Sequence, residues 1–89
     1  MRVLIEKPQF DPNALKAGMA VRIKHNSYSS EKLPYGSALY KLDAAALLVK
    51  VNPLEIKATY FSTDQEKLVE ATIPVDFVAA DTIILSVLE

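Results

Sequence analysis

The sequence predicts an all-β domain of five to six short strands. Segments in which apolar and polar residues alternate recur along the chain, and the clearest lies within Leu47–Phe61. There, from Leu54 to Tyr60, every second residue is apolar, which is the pattern of a half-buried strand. Residues that favour turns separate these segments. A length of 89 residues, 51% of them hydrophobic, fits one globular domain covering residues 1–89.

The composition excludes several classes of protein. The chain has no cysteine, which rules out disulfide frameworks, thiolate zinc sites and cysteine nucleophiles. The apolar run near the N-terminus is only three residues long, too short for a signal peptide, and no stretch approaches the roughly 18 apolar residues of a membrane span. We therefore expect a cytoplasmic protein that does not associate with membranes.

The net charge of −1 argues against a strong general attraction to nucleic acid or anionic lipid. The charge is nevertheless uneven. Residues 1–50 carry eight Lys or Arg and four Asp or Glu, whereas residues 51–89 carry two and seven. Such polarity could form a basic face or let copies of the chain meet head to tail.

The first quarter of the chain predicts a strand, a helical turn and a second strand. Arg2–Glu6 is a short apolar segment that Pro8 ends, because proline cannot donate a hydrogen bond to a sheet. Asp11–Gly18 begins with an N-cap residue followed by proline and ends with glycine, which predicts one turn of helix. Met19–His25 alternates cleanly and predicts a strand.

The next segment predicts the longest loop. Asn26–Tyr35 holds three serines, an asparagine and a proline with little apolar content. Long loops within compact domains often carry function. Gly36 would let the backbone turn sharply out of this loop.

Two interpretations of residues 37–50 stay open. In the first, Ser37–Leu42 is a strand that residues 43–45 turn into a second strand, Leu47–Val51. In the second, Ser37–Lys50 is a helix, because alanine and leucine are strong helix formers and its apolar residues fall on one stripe. Gly36 and the β-branched valines near the end of the segment favour the hairpin.

The second half predicts a hairpin, a short helical turn and a last strand. Asn52–Pro53 must turn or bulge, since Pro53 has no amide proton. Leu54–Ile73 follows as a hairpin around a polar turn, and Pro74–Val78 resembles one turn of helix. Thr82–Leu88 is apolar on both faces, the pattern of a strand covered on both sides, and one of the covers could be another subunit.

This order of elements resembles the SH3-like and Sm-like small β-barrels over about residues 18–88. The resemblance consists of strand order and turn placement, beginning with Gly18-x-x-Val21-x-Ile23, and includes no diagnostic motif. It implies a small barrel of five to six strands with one or two single-turn helices. The alternative is an α+β domain with a helix at about 37–50. Barrels of this kind often bind peptides, nucleic acid or copies of themselves.

No motif for catalysis, a metal or a cofactor is found. His25 is the only histidine, and no nucleophile-elbow glycines surround the serines that follow it, so an exposed histidine at a strand end is the favoured interpretation. The acidic residues of the second half do not match a calcium loop. Two glycines are too few for a nucleotide-binding loop. We expect a protein that is not an enzyme and needs no cofactor.

Two sets of residues are candidates for binding. In the first set, cations on the outer face of a strand lead into a loop with two tyrosines, which suits single-stranded nucleic acid, although the tyrosines could simply pack the loop. Its members are Arg22, Lys24, His25, Tyr28, Lys32 and Tyr35. The second set is apolar and would promote self-association if its strand lay at an exposed edge. Its members are Ile83, Ile84, Leu85, Val87 and Leu88.

The sequence therefore predicts a non-catalytic interaction or assembly module. Its partner would be a second copy of the chain, paired through an edge strand, or another protein. A barrel that binds single-stranded nucleic acid is the alternative.

Overall fold

The described part of the chain folds into one antiparallel sheet and one short helix. The structure is a computed structural model that describes residues 9–30, 32–33 and 36–88. In chain order the elements are β1 (Ala20–His25), β2 (Asp43–Val51), β3 (Glu55–Ser62), β4 (Lys67–Pro74), α1 (Val75–Ala79) and β5 (Ile83–Val87). The five strands form a single sheet in the order β4-β3-β2-β1-β5. The predicted all-β class is confirmed.

The core lies on one face of this sheet, because each strand alternates buried and exposed side chains. The strand residues that form it are Val21, Ile23, Ala46, Leu48, Ile56, Ala58, Tyr60, Ala71, Ile73, Ile83 and Leu85. Buried side chains from the connecting segments complete it, namely Phe10, Leu15, Leu33, Leu39, Val75 and Val78. Burying these side chains supplies the main favourable free energy of folding.

Both interpretations of residues 37–50 are wrong in part. Residues 38–41 form a turn, in which the Tyr40 amide donates to the Ser37 carbonyl and the Leu42 amide to the Leu39 carbonyl. The strand begins only at Asp43, so there is neither a strand over 37–42 nor a helix over 37–50. β2 lies between β1 and β3, and pairing on both sides overrides the helical preference of its alanines. A register shift between Leu48 and Lys50 marks a β-bulge in this strand.

The alternating run Leu47–Phe61 is two strands and not one. The amide of Asn52 donates to the carbonyl of Glu55 at 2.9 Å and closes a tight turn between β2 and β3. Pro53 lies in this turn, where no ladder needs its missing amide proton. The predicted hairpin that follows is confirmed, since β3 and β4 pair from Glu55 opposite Pro74 to Ser62 opposite Lys67.

The segment before β1 contains the predicted turn. The Asp11 side chain accepts a hydrogen bond from the Asn13 amide, and the Leu15 amide donates to the Asp11 carbonyl. Gly18 has a φ of +88°, a conformation that glycine adopts without strain. The predicted strand Arg2–Glu6 lies outside the described residues.

The last two elements are α1 and β5. α1 is the predicted helical turn, and it buries Val75 and Val78. β5 turns Ile83 and Leu85 to the core, but Ile84 on its other face is 44% exposed. Within the described chain only one face of β5 is covered, and a cover from another subunit stays a prediction. Among the described residues, no helix is long and apolar enough to cross a membrane.

Candidate functional site

β5 forms one edge of the sheet. Its amide and carbonyl groups point alternately toward β1 and away from it. It pairs with β1 from Ile83 opposite His25 to Val87 opposite Val21. The Leu88 amide donates to the Ala20 carbonyl at 3.0 Å, which extends this ladder by one residue. Backbone groups alternate in direction along a strand, so the amide and carbonyl groups of the even-numbered residues of β5 point toward β1.

The odd-numbered residues of β5 therefore face away from β1. Ile83, Leu85 and Val87 direct their amide and carbonyl groups to the open side of the strand. No other strand in the described part of the chain pairs with this side. An edge of this kind is a template for pairing with another chain.

The two edges of the sheet differ in charge. The sequence from Thr82 to Leu88 has no charged residue. The opposite edge strand, β4, carries Lys67 and Glu70 and ends at Pro74. Charged side chains and proline are the features with which proteins protect edge strands. β5 lacks this protection and β4 has it.

The five residues predicted for self-association thus fall into two groups. Ile83 and Leu85 are buried in the core and offer only their backbone groups to a partner, while Val87 is half-buried. Ile84 and Leu88 are exposed, at 44% and 41%. Their apolar side chains flank the open edge.

One cation of the other predicted site is paired with a carboxylate. Arg22 and Lys24 are both exposed on the outer face of β1. The guanidinium of Arg22 binds the carboxylate of Asp43 on β2, at 2.8 Å and 2.9 Å from two of its nitrogens. Asp43 also lies opposite Lys24 in the β1–β2 register. The sequence interpretation placed Asp43 in a turn and missed this contact, which only the register of β1 on β2 could reveal.

His25 is half-buried and turned toward the loop, unlike the exposed residue predicted. Its Nδ1 accepts a hydrogen bond from the Lys41 amide at 2.8 Å. Its ring centroid lies 5.5 Å from that of Tyr40. Its Nε2 is buried and has no hydrogen-bond partner among the described residues. His25 therefore holds the loop to the end of β1.

Two further members of this set, Tyr28 and Lys32, lie in the β1–β2 loop. Tyr28 is 96% exposed, so its ring does not pack the loop. The Lys32 ammonium donates to the carbonyl of Ser27 at 2.9 Å. Tyr35 lies outside the described residues. The structure thus places Arg22 and Lys24 on one face, His25 at the end of β1, and Tyr28 and Lys32 in the loop.

Comparison with models of protein families, with curated proteins and with solved structures found no match to this chain. Among the described residues, no group of three or more histidine, aspartate or glutamate side chains is arranged to hold a metal ion. The open edge of β5 is the candidate site with the most specific geometry.

Proposed function

We propose that the chain is a non-catalytic assembly module that self-associates through the open edge of β5. The observation that carries this proposal is the uncharged edge strand Ile83–Val87, whose outward backbone groups meet no other described strand. In the proposed dimer, β5 of one copy pairs with β5 of a second copy, and the two sheets become one. The role is structural, since it needs no reacting group.

We further propose that the scaffold is an SH3-like small barrel. Three features support this assignment. The strand order is β4-β3-β2-β1-β5, the bulged strand β2 pairs with both β1 and β3, and a short helix connects the last two strands. In such a scaffold the first and last strands of this order are the edges at which another chain can pair as an added strand.

The alternation of backbone groups predicts the register of the dimer. A two-fold axis requires that the contact be the same from both copies. If the axis passes beside Leu85, this residue pairs with Leu85 of the second copy, and Ile83 pairs with Val87. Each outward amide and carbonyl of β5 then finds a partner, giving about six hydrogen bonds. An axis one residue away leaves some of these groups unpaired.

The charges of the two edges favour β5, and not β4, as the strand of the second copy that pairs with β5. Pairing β5 with β4 would place Glu70 against an uncharged strand, and Pro74 would contribute no amide. Pairing two copies of β5 brings together strands without charge. Ile84 of each copy then lies opposite Ser86 of the other on the exposed face.

The test is sedimentation equilibrium of the full chain at tens of micromolar. We expect twice the monomer mass for the natural sequence. In the variant Ile84→Glu with Ser86→Glu, the new carboxylates lie opposite Lys24 and Arg22 within the chain. Across the dimer axis, however, they lie opposite each other, and like charges directly opposite disfavour pairing. This variant is expected to be a folded monomer.

The matched control adds the same charge to the other edge. Leu68 and Thr72 are exposed on β4, and Leu68→Glu with Thr72→Glu is expected to remain a dimer. A natural sequence that sediments as a monomer at this concentration would contradict the proposal. So would a dimer that the β4 substitutions disrupt and the β5 substitutions do not.

Binding of single-stranded nucleic acid is the second candidate, and one observation favours it. Tyr28 exposes 96% of its surface, as a ring that stacks on bases must. The pairing of Arg22 with Asp43 weakens the candidate, because a phosphate would compete with that carboxylate. Titration of a labelled oligonucleotide at low salt tests it. Binding that Lys24→Gln and Tyr28→Ala each weaken would support this function, and no binding would end it.

A further inference from the structure

A cleft opens at one end of the sheet, away from the open edge of β5. It lies between residues 37–44, where the β1–β2 loop enters β2, and residues 60–65, where β3 turns toward β4. Its volume is about 440 Å³. Clefts of this size are typical of ligand sites.

The loop side of the cleft is fixed in place by several contacts. Leu39 is buried in the core, at 4% exposure. The Tyr40 amide donates to the Ser37 carbonyl, and the Lys41 amide donates to the ring of His25. The cleft is therefore formed before any ligand binds, which lowers the entropic cost of binding.

Two aromatic rings line the cleft with exposed surface. Phe61 is 56% exposed and Tyr40 is 37% exposed. The ammonium of Lys41 lies 5.7 Å from the centroid of the Tyr40 ring. Cations are attracted to the faces of aromatic rings at this distance. A side chain of the protein itself thus shows that a cation is accommodated at this ring.

Carboxylates supply the opposite charge. Asp43 and Asp64 both line the cleft. Asp43 is bound by Arg22 from the outer face of the sheet, but no ion pair to Asp64 is found among the described residues. Glu66, exposed two residues after Asp64, lies next to the cleft in sequence but does not line it. The β3–β4 side of the cleft is therefore acidic and available to a cation.

We propose that this cleft binds an arginine or lysine side chain from an extended segment of a partner protein. The cationic group binds the carboxylate of Asp64, and its stem packs on Phe61. The ligand cation takes the place of Lys41 over the Tyr40 ring. The hydroxyl groups of Ser62 and Thr63 also line the cleft. The Ser62 oxygen already accepts a hydrogen bond from the Gln65 amide, so these hydroxyl groups donate hydrogen bonds to backbone carbonyls of the segment. This proposal does not depend on self-association through β5.

The experiment is an NMR titration of the isotope-labelled full chain with the blocked tripeptide Gly-Arg-Gly. A blocked Gly-Gln-Gly peptide, which lacks the charge, is the matched ligand. We expect shifts of the amide signals of residues 40–44 and 61–65 with the arginine peptide only. Asp64→Asn should weaken binding by about tenfold, because a charge-assisted contact is lost. Phe61→Ala should weaken it as well.

Asp76→Asn is the control variant, because it removes an exposed carboxylate from α1, outside the cleft. It should leave the affinity unchanged, and the amide spectra of all variants show whether they are folded. Equal shifts with both peptides, no shifts at millimolar peptide, or equal losses in Asp76→Asn and Asp64→Asn would overturn the proposal. Blocked arginine alone binding as tightly as the tripeptide would overturn the assignment to a protein segment.

Discussion

The ring of His25 connects the end of β1 to the loop that follows it. Because Nδ1 accepts the Lys41 amide proton, the proton of the neutral ring is on Nε2, which is buried and meets no partner in the described part of the chain. One ring nitrogen therefore stabilises the loop, while the other adds an unsatisfied donor. The two effects oppose each other, and substitutions can test the contribution of the acceptor.

We predict that two substitutions of His25 lower the free energy of unfolding by different amounts. His25→Phe keeps a ring beside Tyr40 but removes the acceptor for the Lys41 amide, and it should lower the free energy of unfolding by about 1 kcal/mol. His25→Asn keeps an acceptor oxygen near the position of Nδ1, so it should cost less. Urea denaturation measures both, and hydrogen exchange of the Lys41 amide should accelerate only in the phenylalanine variant. Equal exchange rates in the two variants would contradict this role.

Glu66 adopts a backbone conformation that is unfavourable for glutamate. Its φ is +55°, in the left-handed region, at the end of the turn between β3 and β4. Glycine avoids the steric cost there, about 1 kcal/mol, although it gains entropy in the unfolded chain. We predict that Glu66→Gly raises the free energy of unfolding by about 0.5 kcal/mol. The control Gln65→Gly, at a residue without positive φ, should lower it, and thermal denaturation compares the two.

At the scale of the element, alternation was a reliable guide where it was uninterrupted. β1, β3 and β4 each turn every second residue to the core, and their pairing in the β3–β4 hairpin follows from that pattern. β2 was harder to predict because three alanines at 44–46 favour a helix, and only its two neighbouring strands decide its conformation. Pro53 correctly predicted an interruption of the run Leu47–Phe61. Whether the chain bends or turns there depends on how β2 and β3 pair.

A substitution in β2 tests whether strand pairing governs this segment. Ala45 is exposed in the middle of β2, opposite Arg22. Threonine prefers strands and disfavours helices, so Ala45→Thr should raise the free energy of unfolding by about 0.5 kcal/mol. The same change at Ala79, exposed in α1, should lower it. A loss of stability in Ala45→Thr equal to that in Ala79→Thr would contradict the strand assignment.

At the scale of the whole molecule, the sequence identified strands but not the sites that their arrangement creates. The cleft lies between residues 37–44 and residues 60–65. These two segments become neighbours only when β2 pairs with β3. Likewise, Arg22 and Asp43 are 21 positions apart and meet through the β1–β2 register. The apolar character of Thr82–Leu88 was visible in the sequence. That it forms an edge, with one face exposed, required the strand order.

The proposed dimer makes a prediction that also tests its register. If the axis passes beside Leu85, Ile84 of one copy lies opposite Ser86 of the other in a pair without hydrogen bonds, with Cα atoms about 4.5 Å apart. That separation suits a disulfide. The natural chain has no cysteine, so Ile84→Cys with Ser86→Cys introduces the only thiols. Under mild oxidation this variant should form a covalent dimer, visible on a non-reducing gel and lost on reduction.

The control places the same pair of cysteines on the other edge. Leu68→Cys with Glu70→Cys has the same spacing and also faces outward on β4. It should stay monomeric on the gel, because β4 is not expected to pair between copies. Single cysteines at 84 or at 86 should also fail to crosslink efficiently, since in this register neither faces its own copy. Efficient crosslinking of the Ser86→Cys variant alone would move the axis to residue 86 and contradict the proposed pairing of Leu85 with itself.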